Sequence, residues 1–255
     1  MPVHVWLNDY VLEQDGKNFM YLKVENISKK YGRKSVLEKV GFEAGEGECL
    51  GILGANGCGK STLLSILAGV LKADEGSFFV DGENVFSKTS PSDNVVGYVP
   101  QQPPLMEELS AKDNLKLWYC NSVLDMKKEL NSGILAMLGI DEFLNVRVSK
   151  MSGGMKKRLS IGCAVANNPH ILILDEPGAA LDLVCKERIY SYLKDFKSKG
   201  GIVLISTHEE HEINLCSRHY MLKNKKLNRF EYDGNIHRLV GCLGATDDLK
   251  TVKEQ

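Results

Sequence analysis

The chain predicts an α/β fold with a mostly parallel sheet, an antiparallel β part and a helical insertion. Three observations carry this expectation. Residues 171–174 and 202–206 are short apolar runs separated by a helical stretch at 184–197, a β-α-β unit whose strands are covered on both faces. Residues 48–53 form a third such run, leading through a glycine-rich loop into another helix. Between about 103 and 168 the apolar period becomes helical: Met155, Leu159, Cys163 and Ala166 fall at spacings of 4, 4 and 3.

Element by element, residues 1–19 read as an addition ahead of Met20, either an upstream or artificial extension or an extra strand. Alternation over 21–27 and the apolar content of 36–43 predict two strands, the second followed by a turn at Gly45-Glu46-Gly47. A helix is expected from Lys60 to about Leu71. Residues 77–80 and 84–86 flank Asp81-Gly82, a hairpin signal. Residues 95–99 read as a strand; 112–119, 125–138 and 152–167 read as helices. The run at 223–226, Lys-Asn-Lys-Lys, reads as a charged hairpin turn. Domain boundaries follow: an extension at 1–19, one domain at 20–233 with its helical part near 103–168, and a tail at 234–255.

Composition narrows the function classes. The chain has 255 residues, 43% apolar and 25% charged, which is ordinary for a globular protein with a full core. Lys and Arg total 32 against 33 for Asp and Glu, a net charge of −1, so no global basic excess points to nucleic acid. The longest apolar run, 133–140 counting Gly and Ala, is far short of the roughly 18 residues of a membrane span. The N-terminus, with His4, Asp9, Glu13 and Asp15, lacks the basic start and apolar middle of a signal peptide. Seven cysteines, none spaced C-x-x-C, read as thiols of a reducing compartment rather than a zinc site or disulfide frame.

The chemistry concentrates at 54–61. Gly54-Ala-Asn56-Gly57-Cys58-Gly59-Lys60-Ser61 fits the phosphate-binding loop G-x-x-x-x-G-K-[ST]. The glycines let successive N–H groups curl toward phosphate oxygens, and the helix that follows adds its positive end. Lys60 is expected to reach the β- and γ-phosphates, Ser61 to ligate magnesium, and Thr62 to bond the α-phosphate. The ligand class is a purine triphosphate with Mg2+, on a P-loop NTPase core. Four apolar residues then place Asp175 and Glu176 at the C-terminal end of a buried strand, where open sheets bind ligands. Asp175 is positioned to hold magnesium through water, and Glu176 to polarise an attacking water. Ser152-Gly153-Gly154 opens a helix; alone it reads as a helix cap, but beside the phosphate loop it suggests a second anion site of the same physical kind, with phosphate gripped from two sides.

Taken in order, these and four weaker motifs make the chain resemble an ATP-binding cassette (ABC) ATPase over about Met20–Asp233. Lys30-Tyr31-Gly32 resembles the adenine-stacking loop, and Tyr98-Val-Pro-Gln101 the glutamine loop that touches magnesium and the membrane partner. Met151-Ser-Gly-Gly-Met155 resembles the signature L-S-G-G-Q, and Asp175-Glu176-Pro177 the acidic strand end. Ala179-Ala-Leu-Asp182 resembles the D-loop, and Ser206-Thr-His208 the switch-histidine motif. The resemblance implies catalytic roles for Lys60, Gln101, Glu176 and His208, and metal contacts from Ser61, Gln101 and Asp175. It implies nucleotide contacts from Tyr31, from Gly54, Asn56, Gly57, Cys58, Gly59, Lys60, Ser61 and Thr62, from Ser152, Gly153 and Gly154, and from Asp182. Met151, Met155 and Gly178 depart from the usual pattern, which puts in doubt the contacts of the absent Gln and Thr side chains.

What the resemblance further implies is an ATPase subunit that closes with a second cassette chain, the same or different, around two MgATP. It would drive a permease on a separate polypeptide, from the cytoplasmic face of the membrane. The wording S-G-G-M-K-K-R resembles exporter-type cassettes. A non-transport ABC ATPase and an ATP-dependent regulatory subunit are the alternatives. Four further readings can be checked structurally: Lys156-Lys157-Arg158 as a solvated polar face, Trp118 and Tyr119 as core, His211 as a solvated helix residue, and Cys58 as a thiolate made reactive by the adjacent helix start and Lys60.

Overall fold

The computed structural model describes residues 21–87, 95–235, 239, 241 and 242. The expected extension at 1–19 and most of the tail at 234–255 lie outside the described residues. Strand β1 (Tyr21–Tyr31) turns at Gly32 into β2 (Lys34–Gly45), and the buried strand β3 (Cys49–Leu53) follows. Helix α1 (Lys60–Leu67) precedes β4 (Glu75–Val80), β5 (Glu83–Asn84) and β6 (Val96–Val99). The insertion supplies α2 (Ala111–Tyr119), α3 (Met126–Ser132), α4 (Ile134–Met137) and α5 (Gly153–Ala164). The chain then runs through β7 (Ile171–Asp175), α6 (Leu183–Ser198), β8 (Ile202–Ser206), α7 (Glu210–Leu215), β9 (Arg218–Lys223) and β10 (Lys226–Phe230).

Two sheets result. One is antiparallel, in the order β2-β1-β4-β5; the other runs β10-β9-β3-β8-β7-β6, parallel except for β10. The parallel strands are apolar on both faces, as the sequence predicts, and alternate residues serve different cores. Leu172, Leu174, Val203 and Ile205 pack with α2, α5 and α6. Ile171, Ile173, Ile202 and Leu204 pack with α1 and the antiparallel sheet. At about 25 cal/mol per Å², burying both faces is the principal drive for this layering.

Where expectation and structure differ, local chemistry explains it. The helix from Lys60 stops at Leu67, because Gly69 takes φ +72° and closes the last turn onto the Ile66 carbonyl. The strand expected at 84–86 is only β5; the Asn84 side-chain amide oxygen Oδ1 accepts the Phe86 N–H at 3.0 Å and diverts 85–87 into a 3-10 turn. The single helix expected at 125–138 breaks at Gly133, which is extended. The Glu129 carboxylate there accepts the Ile134 N–H at 2.9 Å and starts α4. The last insertion helix ends at Ala164 rather than Asn167. Trp118 is 44% exposed rather than core, whereas Tyr119 is buried. The hairpin turn at 223–226 is present, with Asn224 and Lys225 at positive φ.

The polar-face reading of 156–158 fails for two of its three residues. Lys156 is half-buried and pairs with Glu107 at 3.0 Å. Lys157 and Arg158 are buried. The Arg158 guanidinium donates to the Leu138 and Gly139 carbonyls at 2.9 and 3.3 Å and lies 4.9 Å from the centre of the Phe143 ring. The Lys157 ammonium donates to the carbonyls of Pro100 and Gln101 at 3.2 and 3.3 Å. Burial pushes its pKa down, against the pull of Asp175 and the glutamates. His211 is exposed on α7, as expected, and stacks on Tyr190 with a 3° interplanar angle.

Candidate active site at the strand ends

The parallel register decides which residues meet. Asp175 pairs with Ser206, Val99 with Leu174, and Ile52 with Ser206. The loops leaving β3, β6, β7 and β8 therefore emerge side by side at one sheet edge, carrying Lys60, Gln101, Glu176 and His208.

Lys60 opens α1 and is 5% exposed. Gly59 before it has φ +115°, and a Cβ there would lie 2.8 Å from Val36, so only glycine lets the loop turn this close to β2. The Lys60 ammonium donates to the Gly54 carbonyl at 2.8 Å and the Ala55 carbonyl at 3.3 Å, and sits 3.0 Å from His208 Nε2. An ammonium only donates, so His208 Nε2 accepts and its proton is on Nδ1. Burial first, and the Lys60 charge second, hold the His208 pKa below the ordinary histidine range, which agrees with a neutral ring. His208 Nε2 lies 3.9 Å from Glu176 Oε1, and the Gln101 side-chain amide donates to Glu176 Oε2 at 2.9 Å. Lys60, His208, Glu176 and Gln101 thus form one connected chain of contacts.

Behind it, Asp175 is 2% exposed and accepts a hydrogen bond from the Ser206 hydroxyl. That hydroxyl also accepts the Glu176 N–H at 3.2 Å. Glu176 itself takes φ 47°, a left-handed conformation that a glutamate adopts only when its surroundings impose it. Ser61, Asn56 and Gly57 are exposed along the loop, and Thr62 is half-buried.

The remaining expected contacts sit apart from this cluster. Tyr31 is 51% exposed at the end of β1, with the Lys29 ammonium 5.9 Å from its ring centre. Ser152 caps α5, its hydroxyl accepting the Met155 N–H at 3.2 Å, and Ser152 and Gly153 face solvent while Gly154 is buried. Asp182 caps α6 by accepting the Cys185 N–H at 2.9 Å, and that bond lowers its carboxyl pKa.

Cys58 corrects the sequence reading. Its Sγ tucks beneath the loop, 2.6 Å from where a Cβ on Gly54 would stand, and packs on the core below α1. Burial raises its pKa and outweighs the lowering by Lys60. The thiol is a poor nucleophile, not an activated one. Maleimide at neutral pH is expected to label exposed Cys120 well before Cys58, as mass spectrometry of a labelling time course would show; early modification of Cys58 would contradict its placement.

The sequence reading overlooked Glu212 and took Lys157 for part of a solvated polar face. Both are ionisable residues buried behind the site; Lys157 lies off the Met155, Leu159, Cys163 stripe, so helical periodicity gave no signal for it.

Comparison with known proteins identifies the family. A family model described as ABC transporter matches residues 37–179. The linearmycin resistance ATP-binding protein LnrL of Bacillus subtilis (strain 168) is 34% identical over 77% of this chain and 64% of its own length. Nod factor export ATP-binding protein I of Sinorhizobium fredii is 33% identical over 89% of this chain and 67% of its own. The chain therefore spans about two thirds of these relatives. Among solved structures, the dimeric post-hydrolysis state of the ATP-binding cassette MJ0796, bound to ADP and Pi, superposes with a TM-score of 0.71 at 29% identity, over 83% of this chain and 99% of that one. The α/β cassette fold, the phosphate-binding loop and the family match lead to one conclusion: the chain belongs to the ABC transporter family and carries its ATP-binding, ATP-hydrolysing domain.

Proposed function

We propose that the chain closes with a second cassette chain around two MgATP and powers export through a membrane permease on a separate polypeptide. The observation that carries this is the connected set Lys60–His208–Glu176–Gln101 at one sheet edge. Glu176 would polarise the attacking water and His208 would contact the γ-phosphate. The main-chain N–H groups of 54–62 would cradle the phosphates, and Tyr31 would stack on the base. Ser152, Gly153 and Gly154, exposed and buried on the same helix start, would grip the phosphate held by the partner chain, with Asp182 beside them. The relatives named for linearmycin resistance and Nod factor export support the outward direction.

Magnesium fits the donor set. Ser61 and Asp175 offer hard oxygens, with the Gln101 side chain nearby. Among the described residues, no three His, Cys, Asp or Glu side chains are grouped to hold a metal by themselves. Mg2+ usually takes one or two protein oxygens and completes its shell with phosphate and water, so the few donors here match it. When bound, it would neutralise charge on the transferred phosphoryl group.

Among the described residues, no helix is long and apolar enough to cross a membrane. Membrane association would therefore come through the permease, at the cytoplasmic face. Affinity purification of the tagged chain from its native membranes is expected to bring down a multi-span protein, and MgATP hydrolysis by that complex should stop with EDTA. Salt-resistant binding of the isolated chain to protein-free liposomes, with no multi-span partner recovered, would overturn the proposal.

A further inference from the structure

Glu212 lies on α7, is 0% exposed, and has no part in the chemistry assigned above. One of its carboxylate oxygens takes the Thr207 hydroxyl; the other, Oε1, faces the Tyr190 hydroxyl at 3.4 Å and lies against Gly178. Thr207 directly precedes His208, and its hydroxyl also accepts the Glu209 N–H at 2.9 Å. Gly178 lies two residues after Glu176. A Cβ on it would collide with Glu212 Oε1 and stand 2.8 Å from the Tyr190 hydroxyl. The space that a threonine side chain would take at 178 is thus filled from behind by Glu212 and Tyr190.

The turn leaving Glu176 needs such support. Glu176 and Ala180 both have left-handed φ, 47° and 58°. The bonds within the turn are long: Ala179 N–H to the Glu176 carbonyl at 3.4 Å, and Leu181 N–H to the Gly178 carbonyl at 3.3 Å. Strained backbone of this kind persists only where its surroundings over-determine it. Burial raises the Glu212 carboxyl to about 7. The titratable groups facing it are Tyr190 from α6, Glu209 ahead of α7, Lys157 from α5 and Cys216 at the end of α7. Near neutrality, glutamine is therefore a close mimic of this side chain.

We propose that Glu212 is a positioning residue that locks His208 and Glu176 into mutual register, through Thr207 on one side and its packing against Gly178 on the other. It touches neither nucleotide nor the reacting atoms, and the inference rests on the reading that Glu176 and His208 perform the chemistry.

The test compares Glu212→Met, Glu212→Gln and Thr207→Val. Glu212→Met removes the carboxylate from both contacts and should lower kcat by about tenfold or more, because small misplacements of reacting groups are costly. KM for ATP should stay within about threefold, since the Lys60 loop is untouched. Glu212→Gln should return kcat to within about threefold of wild type. Thr207→Val should lower kcat and combine with Glu212→Met less than additively, as residues acting through one linkage do. The His208 imidazole resonances should shift in Glu212→Met and return in Glu212→Gln. Wild-type kcat with unshifted His208 resonances in Glu212→Met would overturn the proposal. So would parallel loss of ATP binding and kcat in the Gln variant, which would mark a purely structural role. If Glu212→Met does not fold, Thr207→Val decides, and unchanged kcat there overturns the proposal. A wild-type protein without turnover would refute the functional reading instead, and the His208 resonances would still decide the positioning.

Discussion

Glu176→Gln should abolish turnover while leaving ATP bound. The amide keeps the shape of the carboxylate and can still meet the Gln101 side chain, now 2.9 Å from Glu176 Oε2, but it cannot draw a proton from water. Loss of a general base typically costs about 10²–10⁴ in rate, so a fall of at least about a hundredfold is expected. ATP that is not hydrolysed should persist between the Lys60 loop of one chain and the Ser152 loop of another. Size exclusion with MgATP should then show a dimer for Glu176→Gln. Ser152→Glu added to it should return the protein to monomer, because a carboxylate would face phosphate across the interface. A Glu176→Gln chain that stays monomeric at saturating ATP would count against pairing of identical chains and indicate two different cassette chains.

Lys60→Met should remove most nucleotide affinity without unfolding the chain. Methionine keeps the apolar stem, whereas the ammonium disappears together with its bonds to the Gly54 and Ala55 carbonyls and to His208. Without nucleotide, those three acceptors satisfy the ammonium; phosphate must take their place. A charged hydrogen bond is worth roughly 1.5–3 kcal/mol, so ATP should bind about ten- to a hundredfold more weakly. Titration calorimetry checks the affinity and circular dichroism the fold. The same variant has a second signature. The Lys60 charge is the smaller of two causes that lower the His208 pKa, burial being the larger. Removing it should let His208 titrate at higher pH, though still below an exposed histidine, as NMR would show. An unchanged ATP affinity would refute the loop's role as phosphate cradle.

The legible and illegible parts of this chain divide along physical lines. The phosphate loop is contiguous, so its glycines, Lys60 and Ser61 can be read from eight neighbouring letters. The apolar runs at 171–174 and 202–206 announce buried parallel strands because both faces are covered. Glu176 is legible from its place at the end of an apolar run, Gln101 and His208 only through their order along the chain; that they touch depends on strand register, which periodicity does not encode. Lys157, Arg158 and Glu212 were illegible because a charge in a helix reads as solvent-facing. Each is held inside by partners outside its own helix: the Pro100 and Gln101 carbonyls, the Leu138 carbonyl, and the Thr207 and Tyr190 hydroxyls. Cys58 misled for a related reason. The helix start and Lys60 favour a thiolate locally, but burial under Gly54 outweighs both.

The Lys157 strap has a consequence for how fast and how far a signal must travel. Lys157 ties the backbone of the glutamine loop to α5, and Ser152 caps the same helix five residues earlier. At about 1.5 Å per residue, the span from strap to cap is roughly 7–8 Å, less than two turns. Pulling the loop away from the helix would strand a buried ammonium, at about 1.5–3 kcal/mol for each charged bond broken. The two ends of that short rod therefore travel together as one component. On the proposed reading, the surface that senses one nucleotide and the surface offered to another would form a single lever with almost no slack.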